Sequence, residues 1–463
     1  MKRIFLVLIT LLFFQFTFAQ SYFEDGLSSE FHKDRREALR SLMPENSIAI
    51  VFNEAEKVRS NDTYFTYRHN SDFYYLIGLR EPNAAVIIFK EKQNFDDKEF
   101  NELLYVAPKD PKKEQWDGKL LGVDEASLRL GFATVFTNNN FLKTPLLDLN
   151  QFNYVLNHSI QIPEKNGHNE ALSKMMNTLK EAPQPNKEKI SSISLDRYMD
   201  RLRAIKSSEE IKLLREAIRI SGMAHIEAMK SIKPGVSEYQ IQAVHEYIHK
   251  MMGAETQAYG SIVGAGNNAC ILHYIENSKS NLQKGLVLMD VGAEFRGYAG
   301  DITRTVPVTG KFTKEEKAIY EIVLEALEAG INKAKNGKEF FEVQMASTKV
   351  INNGLERLGI ITKNQRHPYF PHGIGHHLGL DVHDRGAYGV LEPGMVLTVE
   401  PGIYIPEGSD CDPKWWGIGI RIEDNILITS DGNENLSSFI PKTVQDIEKL
   451  MKQQGVLQKT NIK

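Results

Sequence analysis

The sequence predicts an α+β protein of two domains: a smaller N-terminal α/β domain over residues 20–190 and a larger α+β domain over residues 195–455. Three observations lead there. Short, wholly apolar runs bounded by turn residues read as buried strands early in the chain. Long amphipathic helices with capping signals begin at Ser207. After that point strands and helices come in blocks rather than in strict alternation.

The elements follow in order. Ser47–Phe52 and Ala84–Phe89 are apolar runs of strand length. A helix is expected around Asp124–Leu130. The stretch 181–189 (EAPQPNKEK) is polar, holds two prolines and suits a loop or domain edge. Ser207-Ser208-Glu209-Glu210 is a helix start, with serine capping and acids in the first turn. That helix should reach about Lys230 before Pro234-Gly235 breaks it. Ser237 caps a second helix that ends near Gly253. Strands dominate to Val308, helix fills roughly Lys314–Leu358, and strands return to Ile428.

Composition narrows the function. The chain is 41% hydrophobic and 25% charged with a net charge of −4, a globular composition whose charge balance argues against nucleic acid or an anionic membrane as partner. At the N-terminus, Lys2 and Arg3 precede an apolar run from Ile4 to Phe18, and Thr17-Phe18-Ala19 sets small residues where a signal peptidase reads. Residues 1–19 are therefore expected to be a cleavable secretory signal, with a periplasmic or secreted product. The run is short for a membrane anchor. Cys270 and Cys411 allow one bridge or two free thiols.

One motif is a decoy. His245-Glu246-Tyr247-Ile248-His249 fits H-E-x-x-H, which sets two imidazoles on one helix face with a glutamate beside them. Ile241, Val244, Ile248 and Met251 make an ordinary core stripe alongside, and no third histidine follows. The favoured reading is an amphipathic helix with two surface or rim histidines. A zincin-type site is the alternative.

The chemistry lies elsewhere. Leu286–Asp290 is a strand ending in an acid, and Asp301 opens a second strand through Val306. A hairpin centred between Phe295 and Arg296 would set Asp290 directly opposite Asp301, with both carboxylates on one face. Carboxylates held that close repel unless a proton or cation sits between them. His372-Gly-Ile-Gly-His376-His377, followed by His383, is too dense in histidine for core filler. Val396–Glu400 stops at Pro401-Gly402, and Gly419–Glu423 alternates so that Arg421 and Glu423 share a face.

With Tyr67-Arg68-His69-Asn70-Ser71-Asp72-Phe73, Cys270-Ile271-Leu272-His273-Tyr274 and Gly432-Asn433-Glu434-Asn435-Leu436, these segments resemble the pita-bread-fold metallopeptidases, and within them the bacterial Xaa-Pro aminopeptidases (aminopeptidase P). The resemblance covers nearly the whole mature chain. It implies a pita-bread (creatinase/aminopeptidase-like) C-terminal domain. It also implies two divalent metal ions held by Asp290, Asp301, His376, Glu400 and Glu423, with Asp301 and Glu423 bridging. Oxygen-rich ligation suits Mn²⁺ and allows Zn²⁺, Co²⁺ or Fe²⁺.

The resemblance further implies that His273, His372 and His383 hold substrate and move protons, His383 stabilising the oxyanion. Glu400 would carry a proton from water to the leaving nitrogen. Arg421 and Tyr404 are placed beside the substrate. The substrates would be peptides with proline second, and the enzyme a homodimer or homotetramer, with Trp116 near a subunit contact. His377 stands where the family has an aromatic or apolar residue and is a rival ligand; register favours His376. The signal segment also departs from the cytoplasmic bacterial enzymes. Prolidase, which cleaves only X-Pro dipeptides, is the near alternative. Methionine aminopeptidases, metal-free creatinase-like hydrolases and a catalytically dead binding domain fit the extra N-terminal domain or the intact ligand set less well.

Overall fold

The structure is a computed structural model that describes residues 26–145, 147–163, 168–183 and 192–459. The expected signal at 1–19 and the polar stretch from residue 184 lie outside the described residues.

The first part comprises α1 (Ser29–Leu42), β1 (Ser47–Phe52), β2 (Val58–Ser60), β3 (Thr63–Tyr64), α2 (Ser71–Ile77), β4 (Ala85–Phe95), β5 (Lys98–Val106), α3 (Pro111–Asp117), α4 (Gly122–Leu130), β6 (Val135–Thr137), β7 (Tyr154–Asn157), α5 (Glu170–Glu181) and α6 (Ser192–Ala204). A five-stranded sheet runs β6-β5-β4-β1-β7. The apolar runs are continuous because both faces of this sheet are covered. Ala49, Val51, Val86 and Ile88 enter one core, while Ile48, Ile50, Ile87 and Phe89 enter another on the opposite face.

The second part begins with α7 (Ser208–Ser231) and α8 (Glu238–Met251). The Ser207–Glu210 capping box closes the start of α7: the Glu210 amide donates to the serine hydroxyl and the Ser207 amide to the glutamate. Strands β8 (Thr256–Gln257), β9 (Ile262–Ala265), β10 (Leu286–Asp290), β11 (Ala293–Phe295), β12 (Tyr298–Ala299) and β13 (Thr303–Pro307) follow. Helices α9 (Lys314–Lys333) and α10 (Phe340–Arg357) then precede β14 (Val396–Val399), β15 (Gly402–Ile405), β16 (Ile418–Arg421), β17 (Asp424–Thr429) and β18 (Gly432–Asn435). The chain closes with α11 (Val444–Leu450) and α12 (Val456–Lys459).

The hairpin register differs from the sequence expectation. Asp290 pairs with Thr303, not Asp301, and Phe295 pairs with Tyr298. The turn is centred on Arg296-Gly297, both at positive φ (51° and 85°). That geometry is the tight hairpin turn that matches strand twist, and it wants glycine. The shift is two residues, one full side-chain period, so Asp290 and Asp301 still face the same way. Gly292 fits a second constraint: a Cβ there would lie 1.7 Å from the Gly300 carbonyl oxygen, so only glycine lets the two acid-bearing strands cross this closely. The alternating strand expected through Glu423 also ends early. β16 stops at Arg421, and Glu423 sits in the step before β17.

Candidate active site

Asp290 ends β10, Asp301 lies just before β13, Glu400 follows β14, Glu423 follows β16, and His376 lies on the loop antiparallel to β14. They meet in a cleft of about 460 Å³ that is also lined by Tyr259, His273, His372, His383 and Arg421. Backbone bonds fix the histidine loop: Thr398 N–H donates to the His376 carbonyl and Glu400 N–H to the Ile374 carbonyl. His376 Nε2 stands 3.4 Å from Asp301 Oδ2 and 3.5 Å from Glu400 Oε1.

The acids perturb one another. Burial, with the charge of Asp290, raises Asp301. Burial and the charges of Asp301 and Glu400 raise Glu423 well above the carboxylate range. Burial pushes Glu400 up to about 7 against the opposing pull of His376 and Arg421. Burial alone would lower His376, but the hydrogen bond and charge of Asp301, with Glu400, raise it to about 9. Such clustering of raised acids marks a place where positive charge is wanted.

The residues fit a metal. Ligand atoms of Asp301, His376 and Glu423 lie within 4.8 Å of one another. His376 presents Nε2 to the acids while its Nδ1 meets the His377 carbonyl at 3.0 Å, the arrangement that fixes the tautomer of a ligating imidazole. The Tyr259 hydroxyl meets Asp290 Oδ1 at 2.5 Å and Asp301 Oδ1 at 2.6 Å. One phenolic proton cannot be donated to both carboxylates at once, so Tyr259 alone does not satisfy the pair.

A second layer holds the acids. Arg421 is buried; its Nη2 donates to Asp290 Oδ2 at 2.5 Å, its Nη1 to the Tyr404 hydroxyl at 2.8 Å and its Nε to Thr303 Oγ1 at 3.1 Å. Thr303 donates to Glu423 Oε2 at 2.7 Å. Tyr404 meets His372 Nε2 at 2.8 Å, and His372 Nδ1 meets the Gly373 carbonyl at 2.8 Å. Burial and Arg421 lower His372 to about 4, so both ring nitrogens are engaged in a neutral imidazole. His383 and His273 are exposed at the mouth. The His383 ring stacks edgewise on His376 at 4.2 Å.

His377 points away from the acids. It is buried, with Nε2 toward the Ala387 carbonyl at 3.2 Å. His245 and His249 are not rim residues either: both are buried, His245 against His225 and His249 beside His245, and neither lines the cleft. Among the described residues the three do not converge as a metal-sized group. The two cysteines are free. Tyr259 and Thr303 were missed at the sequence level, since neither lies in a histidine- or acid-rich run.

Residues 212–430 match the model of metallopeptidase family M24, and residues 32–151 match the aminopeptidase P N-terminal domain. The chain belongs to metallopeptidase family M24. The M24 chain is 39% identical over 448 residues to the Xaa-Pro aminopeptidase of Escherichia coli K12, covering 92% of this chain and 98% of that one. Its structure is similar to that of E. coli aminopeptidase P with the inhibitor Pro-Leu, with a TM-score of 0.83 at 37% identity, covering 92% of this chain and 99% of the other. It is also similar to a Zn-substituted E. coli aminopeptidase P in complex with product, with a TM-score of 0.82 at 37% identity, over 92% and 99% of the two chains. The M24 chain is thus a divalent-metal peptidase whose second domain has the pita-bread fold.

Proposed function

We propose that this chain removes the N-terminal residue from peptides with proline in second position. The observation that carries the reading is the convergence of four carboxylates and His376 on the floor of a cleft with two exposed histidines at its mouth. Asp290, Asp301, His376, Glu400 and Glu423 would hold two divalent ions, and the dominance of hard oxygen donors favours Mn²⁺. Bound there, the ions supply Lewis acidity and lower the pKa of water.

The chain's own groups do the rest. Glu400, on the floor of the cleft, can accept a proton from the attacking water and release it to the departing proline nitrogen. His383, exposed at the mouth with its ring against His376, is placed to donate to the scissile carbonyl oxygen of a bound peptide. His273 faces the same mouth and holds the substrate. His372 reaches substrate only by exchanging its Tyr404 contact, which gives Tyr404 a share in substrate binding. Arg421 keeps Asp290 and Tyr404 in place. A prolyl nitrogen carries no N–H, so the pocket beyond the scissile bond strands no donor when proline fills it.

Residues 1–19 are proposed as an export signal, on the strength of Lys2-Arg3, the apolar run and Ala19, placing the product in the periplasm or outside the cell. Among the described residues no helix is long and apolar enough to cross a membrane. A homodimer or homotetramer is proposed from the family resemblance, which sets Trp116, 87% exposed, near a subunit contact.

The test is hydrolysis of an X-Pro-Y tripeptide by the Mn²⁺-loaded mature chain. Wild type should release free X, and Asp301→Ala should not. Cleavage of X-Pro dipeptides alone would make the chain a prolidase; full activity in the variant would discard the site.

A further inference from the structure

His383 is exposed, and the described contact of its ring is with His376, so its position is inherited from its backbone. That backbone is clamped on both sides. Two residues before it, Asp381 Oδ1 accepts from Ser71 Oγ at 2.6 Å and Oδ2 from Arg203 Nη2 at 2.9 Å. One residue after it, Asp384 is buried and ion-paired with Arg203 and, at 2.9 Å, with Lys206. Arg203 itself is fully buried, and its Nη1 donates to Asp72 Oδ1 at 2.7 Å. Arg385 joins Asp72 Oδ2 at 3.0 Å. Asp72, Asp381 and Asp384 thus face Arg203, Lys206 and Arg385, with Arg68 a further cation 3.5 Å from Asp381, and Ser71 and Asp72 come from α2 of the N-terminal domain.

Buried ionic networks are poor sources of net stability, because desolvation offsets the attraction, but they hold geometry tightly. A neighbour in direct backbone continuity is what such a network would hold.

We infer that Asp72 of the N-terminal domain and Arg203 are positioning residues for His383, acting through Asp381 and Asp384. The small domain therefore builds part of the catalytic mouth instead of only covering it. This rests on the reading of His383 as a substrate-facing donor.

The experiment measures kcat and KM on an X-Pro-Y tripeptide for Asp72→Asn, Arg203→Lys, His383→Ala and each double variant with His383→Ala, with metal content determined in parallel. Misplacing a catalytic group by about 1 Å costs on the order of 100-fold. Asp72→Asn is expected to lower kcat by about 10- to 100-fold, with KM and metal content held near wild type. In the His383→Ala background the same change should cost less than about twofold, because contacting groups are non-additive.

Additive losses would overturn the inference and leave a merely structural network. If His383→Ala keeps full kcat, the functional reading of His383 falls first, and the inference with it. Should Asp72→Asn fail to fold, Arg385→Gln gives the same comparison, since that side chain is 28% exposed and touches Asp72 from the rim.

Discussion

Tyr259 and Asp290 meet at 2.5 Å, phenol to carboxylate, and the same hydroxyl stands 2.6 Å from Asp301. Burial and the two carboxylates raise the phenol well above its ordinary range, so it stays a neutral donor. It therefore fixes the spacing of two acids that would otherwise move apart. Partners that orient ligands typically contribute about 10- to 100-fold to metal affinity. Tyr259→Phe is expected to weaken metal binding by about that factor, read by calorimetric titration of the apoprotein. Unchanged affinity would mean that the acids hold their spacing without it.

The apoprotein should be destabilised as pH rises. Glu400 ionises near 7 and Glu423 well above its usual range, both for reasons of burial and neighbouring charge. A carboxyl whose folded pKa is raised contributes stability that is fully present below its unfolded value, about 4.3, and is lost as pH climbs through the folded value. His376, raised to about 9, acts with the same sign: its contribution is lost as pH rises through about 9. The melting temperature of the chelated protein should fall between about pH 5 and pH 8, and a divalent ion should flatten that slope by supplying the missing positive charge. Scanning calorimetry with and without metal checks it; a chelated protein that gains stability over this range would contradict the burial of these acids.

Arg421 is not replaceable by lysine. Its guanidinium serves Asp290, Tyr404 and Thr303 from three nitrogens at once, a fork that a single ammonium cannot copy. Arg421→Lys keeps the charge, so the metals should still bind. Losing two or so of these bonds, at about 1.5–3 kcal/mol each for bonds from a charged group, should lower kcat/KM by at least about 10-fold. Steady-state kinetics with metal content measured alongside would decide it; wild-type kcat/KM would show that charge alone suffices.

The legible part of the molecule follows from periodicity. β1 and β4 read as strands because both faces of their sheet are buried, and α7 announced itself through Ser207 and Glu210. The facing of Asp290 and Asp301 was legible although their register was not: a two-residue error preserves the side-chain face, whereas a one-residue error would have reversed it. Arg296 at positive φ is what moved the turn, and nothing in an arginine advertises that conformation. Tyr259 was invisible for another reason. It approaches from the segment between β8 and β9, and only tertiary packing brings it to acids 31 and 42 residues away. The Asp72–Arg203–Asp384 network was equally hidden, since its members are drawn from three distant segments.

The H-E-x-x-H motif gives the last prediction. A zinc site there would make His249 indispensable. Instead His249 is 1% exposed, and neither of its nitrogens has a hydrogen-bond partner. Burial lowers it to about 3, so it is neutral and carries one N–H with nowhere to donate. An unpartnered buried polar group costs about 1–3 kcal/mol, while leucine of similar bulk brings no such cost. His249→Leu should therefore leave peptide hydrolysis intact and hold or raise the melting temperature, by about 2 °C for each 1 kcal/mol gained in a protein of this size. Loss of activity with the fold preserved would return the motif to the catalytic machinery; a marked fall in melting temperature would instead reveal a water or ion held in that pocket against His225 and His245.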